Sequence, residues 1–158
     1  MKDLKSLVAF AEKSARNIFK TLGTMPPCVF CRTADGNVFG IGWNTLPTAE
    51  QRRAAALAMG GMLREKDVVQ YVVVTEAWTG WYKKGEAFVA PSKAPDRGEA
   101  VFIEGYDAEG NEQLRVLSTD RSKRKPQLIV DKNFEGTEQL GGGTYSGLLD
   151  EPDMPSVH

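Results

Sequence analysis

The sequence predicts an α+β domain: a single, mostly antiparallel β-sheet of about six strands with two helices, in the order α-β-β-α-β-β-β-β. Three observations predict it. The chain opens with an apolar stripe of helical period. Two turn signatures, Ala34-Asp35-Gly36-Asn37 and Asp107-Ala108-Glu109-Gly110-Asn111, each join a pair of β-branched or aromatic runs. Helical patterning returns only once, between those two hairpins.

The first helix is read from Leu4, Leu7, Val8, Ala11, Ala15, Ile18, Phe19 and Leu22, which recur at three- and four-residue steps. Gly23 stops it and Pro26-Pro27 forbid continuation. Strands are predicted over Cys28 to Thr33 and Val38 to Trp43, where Gly40 and Gly42 suggest a bulge or a close backbone approach. Thr48 with Gln51 forms a capping box at the start of the second helix. Its interior glycines, Gly60 and Gly61, each cost about 1 kcal/mol relative to Ala, which predicts a helix lying very close to the sheet. Asp67 to Thr75, with the valine run Val72–Val74, reads as a central strand covered on both faces. The stretch from Glu76 to Glu99 is then an aromatic-rich connection, too long for an ordinary loop. Ala100 to Tyr106, Gln113 to Thr119 and Gln127 to Asp131 complete the sheet.

With 158 residues, 41% hydrophobic and 26% charged, the composition fits one globular domain. All 20 Lys and Arg lie at or before Lys132, whereas Glu135, Glu138, Asp150, Glu151 and Asp153 follow it. The organisation read from this is a globular domain over 1–132 and a disordered, Gly-rich acidic tail over 133–158. The slight basic excess of the body is too small to argue for nucleic acid by itself. No apolar run approaches the roughly 18 residues that span a bilayer, and the N-terminal apolar stretch is broken by Glu12 and Lys13, so a cytoplasmic protein without membrane contact is expected.

Several groups bear on chemistry. Cys28-Val29-Phe30-Cys31 has C-x-x-C spacing, but in an extended strand the two thiols point to opposite faces and behave as small buried hydrophobes. An all-thiolate metal site would need both cysteines from each of two subunits. The lone histidine, His158, leaves no basis for a histidine triad or histidine metal cluster, so neither metal nor cofactor is expected. Glu76, at the expected end of the central strand, is a candidate general base through desolvation by Trp78, Trp81 and Tyr82. Arg97, in Pro95-Asp96-Arg97-Gly98-Glu99, is a candidate anion clamp; it would otherwise pair with Glu76, Asp96 or Glu99. Catalytic candidates are thus Glu76, Arg97 and Glu99, and binding candidates are Trp78, Trp81, Tyr82 and Arg97. The basic run Arg121 to Lys125, preceded by Arg115, is a candidate phosphate contact or simply a solvated turn. Gly141-Gly142-Gly143-Thr144 lacks the Lys that a phosphate loop requires.

The block TEAWTGW, followed by PSKAPDRGEAVFIEGYDAEGN, resembles an uncharacterised bacterial and phage-associated family over residues 72–111. That family pairs a strand ending in Glu-Ala-Trp with a Pro-Asp-Arg-x-Glu turn and a glycine-turned hairpin. The resemblance implies a bacterial or phage origin and an ordered connection; no activity is assigned to the family, so it transfers no functional residue. The expected function is a small non-enzymatic binding or adaptor domain working through protein contacts, including self-association as a homodimer. Two alternatives are a small enzyme built on Glu76 and Arg97, and a nucleic-acid binder using residues 121–125.

Overall fold

The computed structural model describes residues 3–79, 98–121, 127–130, 145 and 147–150. The elements follow the expected order: α1 (Leu4–Leu22), β1 (Cys28–Thr33), β2 (Val38–Gly42), α2 (Ala49–Glu65), β3 (Val68–Thr79), β4 (Gly98–Asp107), β5 (Glu112–Asp120) and β6 (Gln127–Val130). The strands form one sheet in the order β2-β1-β3-β4-β5-β6, and every neighbouring pair is antiparallel. Sequential hairpins account for all pairings except β1 with β3, between which the chain detours through α2.

Each helix begins and ends for an identifiable reason. Asp3 caps α1 by accepting the Ser6 N–H, and Gly23 closes it at φ 74°, donating its own N–H to the Phe19 carbonyl. The capping box at α2 is complete, with Thr48 Oγ1 taking the Gln51 N–H and Gln51 Oε1 taking the Thr48 N–H. Gly36 and Gly110 supply positive φ, at 91° and 86°, in the two hairpin turns.

Alternation along the strands sorts the core into two halves. On one face, Leu4, Leu7, Val8, Ala11, Ala15 and Phe19 of α1 pack against Val72, Val74, Val101, Ile103, Leu117 and Leu128. Burying side chains such as Leu7 and Phe19 contributes roughly 1.5–3 kcal/mol each. On the other face, Val29, Cys31, Tyr71, Val73 and Tyr106 meet Ala56 and Leu63 of α2, with Tyr145 and Leu148. The valine run of β3 is therefore enclosed on both sides, as its unbroken apolar pattern predicts.

Four expectations need correcting. First, β3 runs on to Thr79 and β4 starts at Gly98, so Glu76 and Glu99 lie within strands, opposite Val101 and Trp78 respectively, and not in a loop. Second, Gly40 and Gly42 mark no bulge, because β1 and β2 pair in unbroken register; the irregularity falls between Arg32 and Thr33, where β1 meets β3. At Gly40 the close neighbour is the Phe30 ring, 3.3 Å from where a Cβ would stand. Third, Gly60 is small because the Leu148 carbonyl sits against it, 3.1 Å from a Cβ there, and Gly61 faces open space. α2 packs on the sheet through Ala56 and Leu63, but the neighbour that keeps Gly60 small is this backbone segment. Fourth, within the stretch assigned to the tail, Tyr145 and Gly147–Asp150 are seated on the α2 side of the body. Arg64 Nη1 donates to the carbonyls of Leu148 at 2.7 Å and Asp150 at 3.1 Å.

A buried arginine ties α1 to the sheet. Arg32, 6% exposed, donates to Gln70 Oε1 across the β1–β3 pair, to the Asp3 carbonyl and to Ser6 Oγ. Burying a charge demands such satisfaction, and here it fixes where α1 begins.

Candidate functional site

At the β1–β3 end of the sheet the chain leaves a cleft of about 770 Å³. Three segments form it: the α1–β1 connection (Thr24 to Pro27), the β2–α2 connection (Trp43 to Leu46), and the distal part of β3 (Thr75 to Ala77). Arg52, Glu99, Arg121 and Tyr145 close its sides. The proline pair that terminates α1 thus doubles as a rigid apolar wall.

The charged part of the cleft is organised by Arg121. Its Nε donates to Glu99 Oε2, its Nη2 lies 3.6 Å from Glu76 Oε1, and its Nη1 donates to the Gly23 carbonyl at 3.2 Å. The guanidinium also sits 5.6 Å from the centre of the Phe19 ring. Glu76 uses its other oxygen to accept the Met25 N–H at 2.9 Å. Both its oxygens are therefore engaged, and it holds the α1–β1 connection against β3. One cation bridges two carboxylates and the C-terminus of α1, where positive charge also suits the helix dipole.

The aromatic part lies on the opposite side of the strands. The Trp43 and Tyr145 rings are tilted at 53° with centroids 6.2 Å apart. Burial first, and then the Glu104 charge, push the Tyr145 phenol above its ordinary range, with Arg52 pulling the other way. Arg52 itself donates to the Leu46 carbonyl at 3.0 Å and stiffens the β2–α2 connection.

Of the residues singled out by sequence, Glu76 and Glu99 come together through Arg121. The partner imagined for them was Arg97; Arg97, Trp81, Tyr82 and the side chain of Trp78 lie outside the described residues. Residues 122–125 of the basic run also lie outside them. Arg121 is committed to the carboxylates, and Arg115 donates to Glu12, which also holds Arg16 at 3.8 Å. Cys28 and Cys31 are free thiols on opposite faces of β1, each in a different half of the core, as strand alternation requires. Desolvation raises Cys28 to about 11 and Cys31 to about 12. Among the described residues, no group of three or more His, Cys, Asp or Glu is placed to hold a metal ion.

Sequence reasoning missed Trp43, Arg52, Arg121 as a bridge, and Tyr145. Two of these carried a signal. Trp43 is an aromatic immediately after a glycine-rich strand, and Tyr145 is one of two aromatics, with Phe134, in a glycine-rich, acidic stretch. No family model, curated protein or solved structure matches this chain. No helix among the described residues is long and apolar enough to cross a membrane.

Proposed function

We propose that the chain is a small cytoplasmic, non-enzymatic binding domain that receives an apolar segment of a partner protein in the Trp43–Tyr145 cleft. The observation that carries the reading is the division of labour at Arg121. By holding Glu76 and Glu99 together, it gathers the acidic groups on one side of the cleft and leaves the other to be defined by Trp43, Tyr145, Leu46 and the Pro26-Pro27 wall. Clefts of this size with apolar walls and a few fixed polar groups suit a ligand segment, and Trp, Tyr and Arg are the residues that most often dominate contact energies.

The alternatives gain less support. Glu76 has a structural task that accounts for its position: it accepts the Met25 N–H, pairs with Arg121 and so holds the α1–β1 connection against β3. Of the basic residues considered for phosphate contact, the described ones, Arg121 and Arg115, are both paired with carboxylates.

The test is photo-crosslinking with the full chain. A photoreactive residue replacing Leu46 should trap one dominant protein, and the same group at Leu57, exposed on α2, should not. Trp43→Ala in the Leu46 background should abolish that product. Equal trapping from both positions, or trapping that survives Trp43→Ala, would remove the cleft from consideration.

A further inference from the structure

We propose that β2 is a self-pairing edge: two copies of the chain join their β2 strands antiparallel about a twofold axis at Gly40, forming one continuous sheet.

The hydrogen-bond phase of the β1–β2 hairpin sets the argument. Thr33 N–H bonds the Asn37 carbonyl at 2.9 Å, and Trp43 N–H bonds the Pro27 carbonyl at 3.0 Å. Given the register of the pair, Phe39 and Ile41 spend their backbone groups on β1. The N–H and C=O groups of Val38, Gly40 and Gly42 then point away from the sheet. Val38 is 43% exposed, and Gly40 and Gly42 are exposed as well. Three successive outward-facing peptides form a template for another strand.

In sequence this edge lacks two of the usual protections. From Gly36 to Trp43 there is no charged residue and no proline. The other end of the sheet differs: β6 follows a run containing Arg121, Lys123, Arg124, Lys125 and Pro126, residues that discourage edge pairing.

Self-complementarity identifies the occupant as a second copy. About Gly40, the twofold register sets Val38 opposite the partner's Gly42 and Gly40 opposite its own counterpart. The branched side chain thus faces a hollow on both sides of the axis, and about six inter-strand hydrogen bonds close the seam. The Phe30 ring lies against Gly40, 3.3 Å from where a Cβ would stand, and meets the Phe10 ring edge-on at 5.7 Å. Phe10 is 48% exposed on the same face, so each copy also brings a pair of phenylalanines toward the axis. No charges are opposed across the seam, and the formal net charge of −1 sets up little long-range repulsion between copies.

The proposal is tested on the full chain by sedimentation, together with amide exchange. At high micromolar concentration the mass should be twice 17.3 kDa. The Val38, Gly40 and Gly42 amides should exchange slowly there and quickly on dilution, with Phe39 and Ile41 unchanged. V38K should weaken self-association by roughly tenfold or more. G42E should do the same, and a mixture of V38K and G42E copies should regain pairing, because in this register the introduced charges meet. A wild-type chain that stays monomeric, concentration-independent exchange at all three amides, or protection that appears only when another protein is added would each overturn the proposal. None of these outcomes bears on the Trp43–Tyr145 cleft, so failure here is separable from failure there.

Discussion

The Tyr71 hydroxyl donates to the Tyr145 carbonyl at 2.5 Å and accepts the Leu148 N–H at 3.1 Å. A side chain of the central strand thereby closes the hydrogen-bond account of a segment more than seventy residues further along the chain. Burial, above all, pushes its phenol well above the ordinary range. Tyr71→Phe keeps the ring and its stacking on Tyr106, 5.1 Å between centroids, but strands a buried carbonyl and N–H. A loss of about 1–3 kcal/mol in chemical denaturation is expected, with faster exchange of the Leu148 amide.

Three glycines should respond differently to the same methyl group. At Gly61 a Cβ meets nothing within 4 Å, so Gly61→Ala should stabilise by about 1 kcal/mol through helix propensity alone. At Gly60 a Cβ would lie 3.0 Å from Arg64 Nη1 and 3.1 Å from the Leu148 carbonyl, so Gly60→Ala should forfeit that gain and speed exchange around Leu148. At Gly105, on β4, it would lie 2.7 Å from Val8 Cγ2 and 3.3 Å from Leu4 Cδ1. Gly105→Ala should destabilise by roughly 1–3 kcal/mol by lifting the first turns of α1. Thermal melts of the three variants read the order directly.

Glu104 gives a pH dependence of defined sign. Desolvation raises its carboxyl above the ordinary 4.5; Glu112 adds to this, and the Tyr106 hydroxyl, which donates to Glu104 Oε2 at 2.8 Å, opposes it. Because the folded-state value is the higher one, the contribution to stability is fully present below the unfolded value and is lost as pH rises through the folded one. At pH 7 the ionised carboxylate is therefore a burden. Glu104→Gln should stabilise the fold at neutral pH, with the advantage fading as acid protonates the wild-type group. Urea titrations at several pH values check this.

The two thiols should be inert in the native state. With Cys28 at about 11 and Cys31 at about 12, almost no thiolate is present at neutral pH. Alkylation should be slow in buffer and rapid in denaturant, Cys28 reacting before the fully buried Cys31. Their raised values also mean that stability declines as pH climbs from 9 through those values. A fast native reaction at either position would contradict the packing around β1.

Local rules made much of the architecture legible. The α1 stripe, the Thr48 and Gln51 cap and the turns at Gly36 and Gly110 depend on neighbours within a few residues, and each formed where its chemistry points. Alternation also placed Cys28 and Cys31 on opposite faces. What escaped depends on distant partners. Glu76-Ala77 breaks the apolar run that marks β3, yet β4 residues from Gly98 to Val101 hold Glu76 to Thr79 in the sheet. Gly60 owes its identity to Leu148, and Arg32 owes its burial to Gln70, Asp3 and Ser6. At the cleft, Glu76 and Glu99 stood out as strand acids, but only the folded chain selects Arg121 from among the cations to bridge them.

The cover over α1 is built from strands that come later in the chain. Its apolar stripe rests on β3, β4, β5 and, through Leu128, β6. A ribosome making this protein therefore releases an amphipathic helix long before the surface that shelters it exists. The β3–β6 meander can zip up hairpin by hairpin as it emerges, yet the part of the helix under Leu128 stays uncovered until β6 joins. Nascent chains arrested before β4 would hold much of that greasy stripe bare, which makes them natural clients for holding chaperones at the ribosome.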